Sequence, residues 1–538
     1  MNIIFKVYCK LSVLFCKIKY IIYFNIFLNV LLINYLYYKV WNVLNNKLAL
    51  VLNYSVKLNG CVIIKLIQWL NTNLELVFIN SSNYDFLSKL FSHFYEDCSI
   101  HELKYTKDLF FKEFGVAFDD YFELDNSFSI KSGSVAQVYK ALLKNNSNIN
   151  SNISSVAIKV VHPNIEYQLI CPFSFVKVYT YLVTNFKCLN KYDIIIDLDS
   201  FFCNLIKQIN MENEYKNNEH FYNTYCNNNI IIIPKPLMKS KNFLIMEFVD
   251  GEQFEKMEIS DYKKQILISF MGIFMKDTFI NGKYIHCDLH QANWKIYKQI
   301  TNNNNNNNND ETEFNYKIII YDFGYVIENT LSDTLKNICY CLDTNNISGL
   351  GNLLFNNIKN INNIKNINNI NNINNINNIN NINNINNINN DISNNSYKED
   401  FIARFKKHNV MALPYSDNII ITSINFCYIN GYKLNNDLLD YFISVVLLNK
   451  HFSKYLFFNY DNTSFDEETY YKYVYNINLF YISICEKYNV FSTVKDFLYT
   501  TYIYNSHFSD RITYTNNYFD SLKKNSDIIS LNHNAIDI

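Results

Sequence analysis

Glycine and proline are scarce in this chain, with 10 and 5 residues among 538. Loops that depend on glycine therefore have few places to occur. The 13 cysteines contain no C-x-x-C pair. That excludes the usual zinc knuckle, and Cys339 and Cys341 stand too close in sequence to form one alone. An odd, unpatterned set points to buried thiols in a reducing compartment, not to a disulfide framework. Net charge is only -1, which excludes a nucleic-acid binder that relies on a basic surface. Acid is missing from the start of the chain, where no Asp or Glu precedes Glu75. What remains is apolar content of 49%, enough for a sizeable core, on a length that suits two or three domains. Asn, Ile, Lys, Tyr and Phe are abundant. Their codons are AT-rich, so the Tyr and Phe excess carries no functional weight.

The acid-free leader has lysine as its cation: Lys6, Lys10, Lys17, Lys19, Lys39, Lys47, Lys57 and Lys65. Between Lys19 and Lys39 lies an uncharged run from Tyr20 to Tyr38. As a helix it would rise about 28 Å, close to the roughly 30 Å of a bilayer core. Tyr37, Tyr38 and Trp41 suit a membrane interface. Three readings stay open: an organelle-targeting segment, a transmembrane or signal-anchor helix, and an apolar extension that is buried or poorly structured. Transit peptides are usually rich in Arg and Ser, and the leader has no Arg. Targeting and anchoring can also coexist.

Beyond the leader, hydrophobic periodicity predicts helices over 66–94 and 109–121, a β-rich stretch over 127–143, and an Asn/Ser hairpin linker over 144–155. A short buried strand follows at 156–161, then a helix over 195–221. Strands are expected at 230–233 and 243–249, the second as an edge strand. A long apolar helix over 262–281 is ended by Gly282. The tail from 397 is helical by pattern. Two low-complexity inserts interrupt this order: a pure Asn tract at 302–309 and Asn-Asn-Ile triplets over about 357–390. A period of three suits neither helix nor strand. A disordered surface insertion is expected over a solenoid of stacked Ile. A fold can carry such loops, since doubling one costs only about 0.6 kcal/mol.

The strongest signal is the octapeptide His286-Cys287-Asp288-Leu289-His290-Gln291-Ala292-Asn293, followed by Asp322-Phe323-Gly324. Together they have the frame H-x-D-L-x-x-x-N and D-F-G, the spacing of a protein-kinase catalytic loop and metal-binding loop. Phosphoryl transfer needs a carboxylate near the attacking oxygen and metal ligands that neutralise the triphosphate. Asp288 fits the first role; Asn293 and Asp322 fit the second, as magnesium ligands. His286 is expected to pack and to hydrogen-bond in support of Asp288, and Cys287 to be a spacer. Lys159 ends the strand Val156-Ala157-Ile158-Lys159, where a buried lysine needs a counter-charge and would meet the ATP phosphates. The stretch from Ser132 to Ala141 occupies the place of a glycine-rich loop. Its Ser132, Gly133, Ser134, Val135 and Ala136 are small enough for backbone N–H groups to approach phosphate, though one glycine does not make an ordinary G-x-G-x-x-G. Backbone groups around Glu247 and Val249 are candidates for reading adenine. Each of these segments alone has a plain structural alternative: a strand-end lysine in solvent, a tight β-turn, a buried strand and turn.

These motifs resemble the UbiB family, the aarF-domain or ubiquinone-biosynthesis atypical kinases, from about Gly60 to Tyr325. The nucleotide loop rich in Ala and Ser and the H-x-D-x-H-P-G-N-type catalytic loop carry the resemblance. So does Lys65-Leu66-Ile67-Gln68, which resembles the family's K-x-G-Q with Ile67 for Gly. Gln208-Ile209-Asn210 resembles E/Q-x-D with Asn210 for Asp. Gln291 and Ala292 replace Pro and Gly of the catalytic loop. The resemblance implies that Glu214, or Glu212 in another register, pairs with Lys159. It implies an α+β, two-lobed protein-kinase-like fold: leader 1–56, helical extension 57–126 lying over the active site, N-lobe 127–250, C-lobe 251–356 with the catalytic loops, insert 357–396, and helical remainder 397–538. It implies Mg–ATP as cofactor, ATPase or kinase activity in ubiquinone (coenzyme Q) production, and lipid or quinone intermediates with other quinone-biosynthesis proteins as partners. The location implied is the inner mitochondrial membrane or another organelle membrane. A nucleotide-binding pseudokinase scaffold and a protein kinase acting in trans are the alternatives.

Overall fold

In the computed structural model the described residues are 3–41, 45–68, 98, 100–144, 153–185, 198–289, 291–299, 315–343, 346–360, 396–407, 415–430, 432–435, 437–439, 441–442, 445 and 467–503. Both Asn-rich inserts lie outside them, apart from 357–360, as does most of the helix expected over 66–94. The chain divides into two compact units. Unit 1 is Met1–Cys226 with Ile233–Asp250 and Ile319–Tyr325; unit 2 is Asn227–Ile232, Gly251–Ile318 and Val326–Ile538.

In unit 1 the apolar leader forms one continuous helix, α1 (Ile3–Trp41), with Lys39 in its last turn. Asn45 leaves the helical conformation and caps α2 (Asn46–Asn59), its side chain accepting from the N–H of Lys47 and Leu48. Asn34 Nδ2 donates to the Leu48 carbonyl (3.2 Å) and Asn59 Nδ2 to that of Tyr23 (2.9 Å). The two contacts run in opposite sequence directions, so α1 and α2 form an antiparallel hairpin. Phe24 and Phe27 of α1 pack with Leu52, Val56, Ile63, Ile64 and Cys98. Phe15, Ile22, Leu36 and Trp41 of the same helix are exposed. Leu11–Trp41 is long and apolar enough to cross a membrane. Gly60 then turns the chain at φ 76° into a third helix, α3 (61–68). A Cβ at Gly60 would lie 2.7 Å from Gln168 Oε1, so no other residue fits there without displacing that side chain.

Helix α4 (Leu103–Phe114) begins earlier than the pattern predicts and stops at Gly115, which adopts the left-handed conformation. Strands β1 (Phe122–Leu124), β2 (Lys131–Ser132), β3 (Ala136–Leu143) and β4 (Ser155–Val161) follow. After β4 comes α5 (Ile165–Asn185), which the sequence reading does not assign. The single helix expected over 195–221 is two, α6 (Leu198–Ile209) and α7 (Met211–Tyr225). Asn210 separates them because it leaves the helical conformation to cap α7, its side chain accepting from Glu212 N–H. Strand β5 (Ile231–Ile232) lies in unit 2. Strands β6 (Pro236–Lys239) and β7 (Phe243–Glu247) return to unit 1, where the sheet order is β1-β3-β4-β7-β6 with β2 beside β3. The expected edge strand at 243–249 is therefore an interior one. The edge is β6, which starts with Pro236, a residue confined to such positions because it cannot donate to a ladder.

Unit 2 is built on α8 (Asp261–Ile280), whose Ser260 cap accepts from Lys263 N–H at 3.4 Å. Its last carbonyls are met by one side chain. Asn329 Nδ2 donates to the carbonyls of Thr278, Phe279 and Gly282. Strand β8 (Tyr284–His286) pairs antiparallel with Val326–Glu328. A second small sheet joins β5, Trp294–Lys298 and Tyr316–Ile320. The segment between β8 and Trp294 is the H-x-D-L-x-x-x-N loop.

Candidate active site

Alternation along β4 decides where Lys159 points. Val156, Ile158 and Val160 face the cluster of Phe110, Phe118 and Phe122. Ala157 and Val161 face the opposite cluster, which contains Phe202, Leu205 and Met211 of α6 and α7. Lys159 lies on the second face. There its Nζ donates to Glu214 Oε1 at 2.7 Å and pairs with Asp322 Oδ2 at 3.0 Å. Glu212, the other candidate, is exposed in the first turn of α7. Of the two carboxylates, the structure brings Glu214 to Lys159.

The D-F-G segment is held by the same helix. Asn217 Nδ2 donates to the Phe323 carbonyl at 2.9 Å, and the Phe221 and Phe323 ring centroids are 5.0 Å apart. Glu214, Asn217 and Phe221 follow each other at helical spacing, so one face of α7 serves the lysine and the loop together. Sequence reasoning assigned Glu214 a role and missed the other two, although the spacing carried the signal. Asp322 has φ 51°, a left-handed backbone that costs free energy in a residue with a side chain. Its Oδ1 accepts from Gly324 N–H at 3.1 Å. A Cβ on Gly324 would stand 3.0 Å from that oxygen and 3.5 Å from Glu214 Oε2.

One buried ammonium thus faces two carboxylates, Glu214 buried with it and Asp322 with 40% of its side chain exposed. Burial alone would lower the Lys159 pKa, but the charges of Asp322 and Glu214 outweigh it and raise it. Burial pushes Asp322 upward, yet Lys159 and Lys65 hold it below the carboxylate range. Burial, reinforced by the Asp322 charge, pushes Glu214 up to about 7 against the pull of Lys159. Glu214 Oε2 is buried without a hydrogen-bond partner. Lys65 is the lysine of the K-x-G-Q-like signature and belongs to α3. Ile67, at the signature's glycine position, packs its bulk against the Phe24 and Phe27 cluster.

The nucleotide-loop candidates lie at the β2–β3 turn. Ser132 and Ser134 are buried, and Gly133 N–H donates to the Ala136 carbonyl at 3.0 Å. Val135 gives its carbonyl to His162 N–H at 3.0 Å. At the end of β7, Glu247 N–H donates to the Lys235 carbonyl at 2.8 Å. The Val249 carbonyl accepts from the Tyr321 hydroxyl at 3.0 Å.

In unit 2, His286 is fully buried and its Nδ1 accepts from Asp288 N–H at 3.2 Å. Asn293 Nδ2 donates to the Asp288 carbonyl at 2.7 Å, which turns Oδ1 of the same amide the other way. Cys287 is buried. His290 and the Gln291 side chain lie outside the described residues. Among the described residues no three His, Cys, Asp or Glu gather into a metal cage. A magnesium ion shared with phosphates needs only one or two protein oxygens, and the hard carboxylate oxygens of Asp322 have that chemistry.

Residues 94–346 match the ABC1 atypical kinase-like domain. The chain is 26% identical over 271 residues to the probable serine/threonine-protein kinase abkC of Dictyostelium discoideum, covering 46% of this chain and 36% of that one. It is 26% identical over 290 residues to the ABC1 family protein MCP2 of Saccharomyces cerevisiae, covering 51% and 47%. The match thus spans less than half the length of these relatives. Among solved structures, Rv3197 of Mycobacterium tuberculosis in complex with erythromycin aligns at 15% identity and a TM-score of 0.36, over 47% of this chain and 60% of that one.

Proposed function

We propose that this chain, which belongs to the UbiB/aarF family through an ABC1 atypical kinase-like domain at residues 94–346, binds Mg–ATP and transfers or hydrolyses its terminal phosphoryl group. The observation that carries the reading is the Lys159–Glu214–Asp322 cluster, at 2.7 and 3.0 Å, with Lys159 and Glu214 buried and Asp322 in a strained backbone. Lys159 orients the phosphates and Glu214 holds Lys159 in place. Asp322 and Asn293 supply the oxygens for magnesium. Asp288, its backbone fixed by His286 and Asn293, is the base or water-positioning carboxylate. Bound Mg–ATP would supply the transferable group and the metal charge that offsets it. The residues fit that ligand: Asp322 is held ionised beside the Lys159 ammonium. The loop Ser132-Gly133-Ser134-Val135-Ala136 covers the phosphates. Adenine is read at Glu247 and Val249, with Val249 N–H as the donor, since its carbonyl is already held by Tyr321.

The process served is quinone biosynthesis at an organelle membrane, with lipid or quinone intermediates as partners. A relative in Schizosaccharomyces pombe carries the label mitochondrial and one in Arabidopsis thaliana the label chloroplastic. The apolar helix α1 supports a membrane location. Measuring ubiquinone and its precursors after depletion, with rescue by wild type and by Asp322→Ala, tests the reading. Rescue by wild type alone is expected. An unchanged quinone pool would overturn the pathway, and equal rescue by both would overturn the role of Asp322.

A further inference from the structure

The nucleotide loop has one glycine, yet it turns within four residues. The groups that hold it come from behind. His162, just after β4, touches it twice. The backbone N–H donates to the Val135 carbonyl at 3.0 Å, and the ring Nε2 lies 3.0 Å from the Gly133 carbonyl and 3.4 Å from Ser132 Oγ. A carbonyl only accepts, so Nε2 carries the proton and Nδ1 of the neutral ring is bare. That nitrogen lies 3.0 Å from Nδ1 of His101, which must be the donor. His101 Nε2 is then an acceptor, met by the Thr106 hydroxyl at 3.0 Å. The Tyr139 hydroxyl, 3.0 Å away, donates to Thr106 and itself accepts from Gln137 Nε2 at 2.6 Å. Gln137 closes the circuit. Its Oε1 accepts from His101 N–H at 2.8 Å, and its Nε2 donates to the His101 carbonyl at 3.3 Å. With both rings neutral, every side-chain bond of the relay runs one way, from Gln137 Nε2 through Tyr139, Thr106, His101 and His162 to Gly133. Thr106 and Gln137 are fully buried and His162 nearly so. Burial lowers the pKa of His162 and, with the neighbouring His162 adding to it, brings His101 down to about 4.

We infer that His162 is a positioning residue for the nucleotide, and that the His101–Thr106–Tyr139–Gln137 relay behind it fixes the ring that shapes the loop. The inference rests on the Mg–ATP reading above. The histidine holds the carbonyls of Gly133 and Val135. Because a trans peptide is planar, fixing the Gly133 carbonyl turns the N–H of Ser134 to the opposite side. The side chain thereby does what further glycines would do by conformational freedom.

The test uses the full chain, with a fluorescent ATP analogue and magnesium for affinity, ATP hydrolysis for KM and kcat, and the nucleotide-free thermal midpoint as a fold control. His162→Phe keeps a flat ring without the donor. It is expected to weaken nucleotide binding about fivefold, the factor one hydrogen bond is worth, with KM raised and kcat little changed. His162→Gln keeps an N–H of similar reach and is expected to stay within about twofold of wild type. Equal affinity for wild type and a folded His162→Phe would overturn the inference. So would a His162→Gln as weak as His162→Phe. If His162→Phe does not fold, Thr106→Val carries the test: binding about threefold weaker supports the relay, and unchanged binding sinks it. A wild type that does not bind the analogue removes the nucleotide reading and the relay's role together. A wild type that binds, with unaffected variants, removes the relay alone.

Discussion

Glu214 bears the cost of the cluster, because burial disfavours its charge and the Asp322 carboxylate shares its one ammonium. Its pKa rises from 4.5 to about 7, so the folded chain holds that proton more tightly than the unfolded one. This preference stabilises the fold fully below about pH 4.5 and is lost as pH rises through about 7. Glu214→Gln, neutral throughout, has no such loss. The thermal midpoint of wild type should therefore fall relative to the variant between about pH 5 and 7.5, by an amount equivalent to about 3 kcal/mol at most. Parallel profiles would contradict the assignment. Asp322 works in the opposite sense: its depressed pKa gives stability above the ordinary carboxylate range that is lost as pH falls. At Asp288 the expected split is between binding and turnover. Asp288→Asn should leave Mg–ATP affinity within about twofold while hydrolysis falls at least about 10²-fold, the usual share of a positioned base. Unchanged turnover would remove Asp288 from the chemistry. The histidine relay shows what a sequence hides. The D-F-G and H-x-D-L frames are local in the chain and legible at once. His101 and His162 are separated by 61 positions, and nothing in either neighbourhood announces the other.

Among the elements, those with one dominant pattern were legible. The strand predicted at 156–161 is β4, and the helix predicted at 262–281 is α8, because a mostly apolar run specifies each. Elements set by a single polar residue or a proline were not. Pro172 reads as a breaker but lies within α5, and Asn210 splits a helix that periodicity runs through. Asn210 also replaces the aspartate of the E/Q-x-D signature. Since Asn caps about as well as Asp, the cap survives without the charge. Asn210→Ala is expected to cost about 1 kcal/mol in denaturant unfolding, while Asn210→Asp should be near neutral; equal losses would mean the cap is not what that position supplies. The packed face of α1 makes a similar contrast. Phe24→Ala should cost about 3 kcal/mol or more, and Ile22→Ala, on the exposed face, far less. Equal effects would mean that α1 does not dock on α2 as described.

For the whole molecule, unit 1 is assembled from three stretches of chain, and the last, Ile319–Tyr325, brings Asp322 to a lysine 163 positions upstream. A site closed by so distant a segment should respond to its ligand as a unit. Mg–ATP at 100 times its dissociation constant is expected to stabilise the fold by about 2.7 kcal/mol, and Asp322→Ala should remove most of that gain. Absence of any thermal shift in wild type would end the nucleotide reading. The same assembly limits what a processing peptidase can do to the leader. A cut ahead of Tyr20 would leave Phe24, Phe27 and Asn34 in place. A cut beyond Phe27 would strip the cover from Leu52, Val56 and Ile63 and present the mature protein to quality control with part of its core laid open.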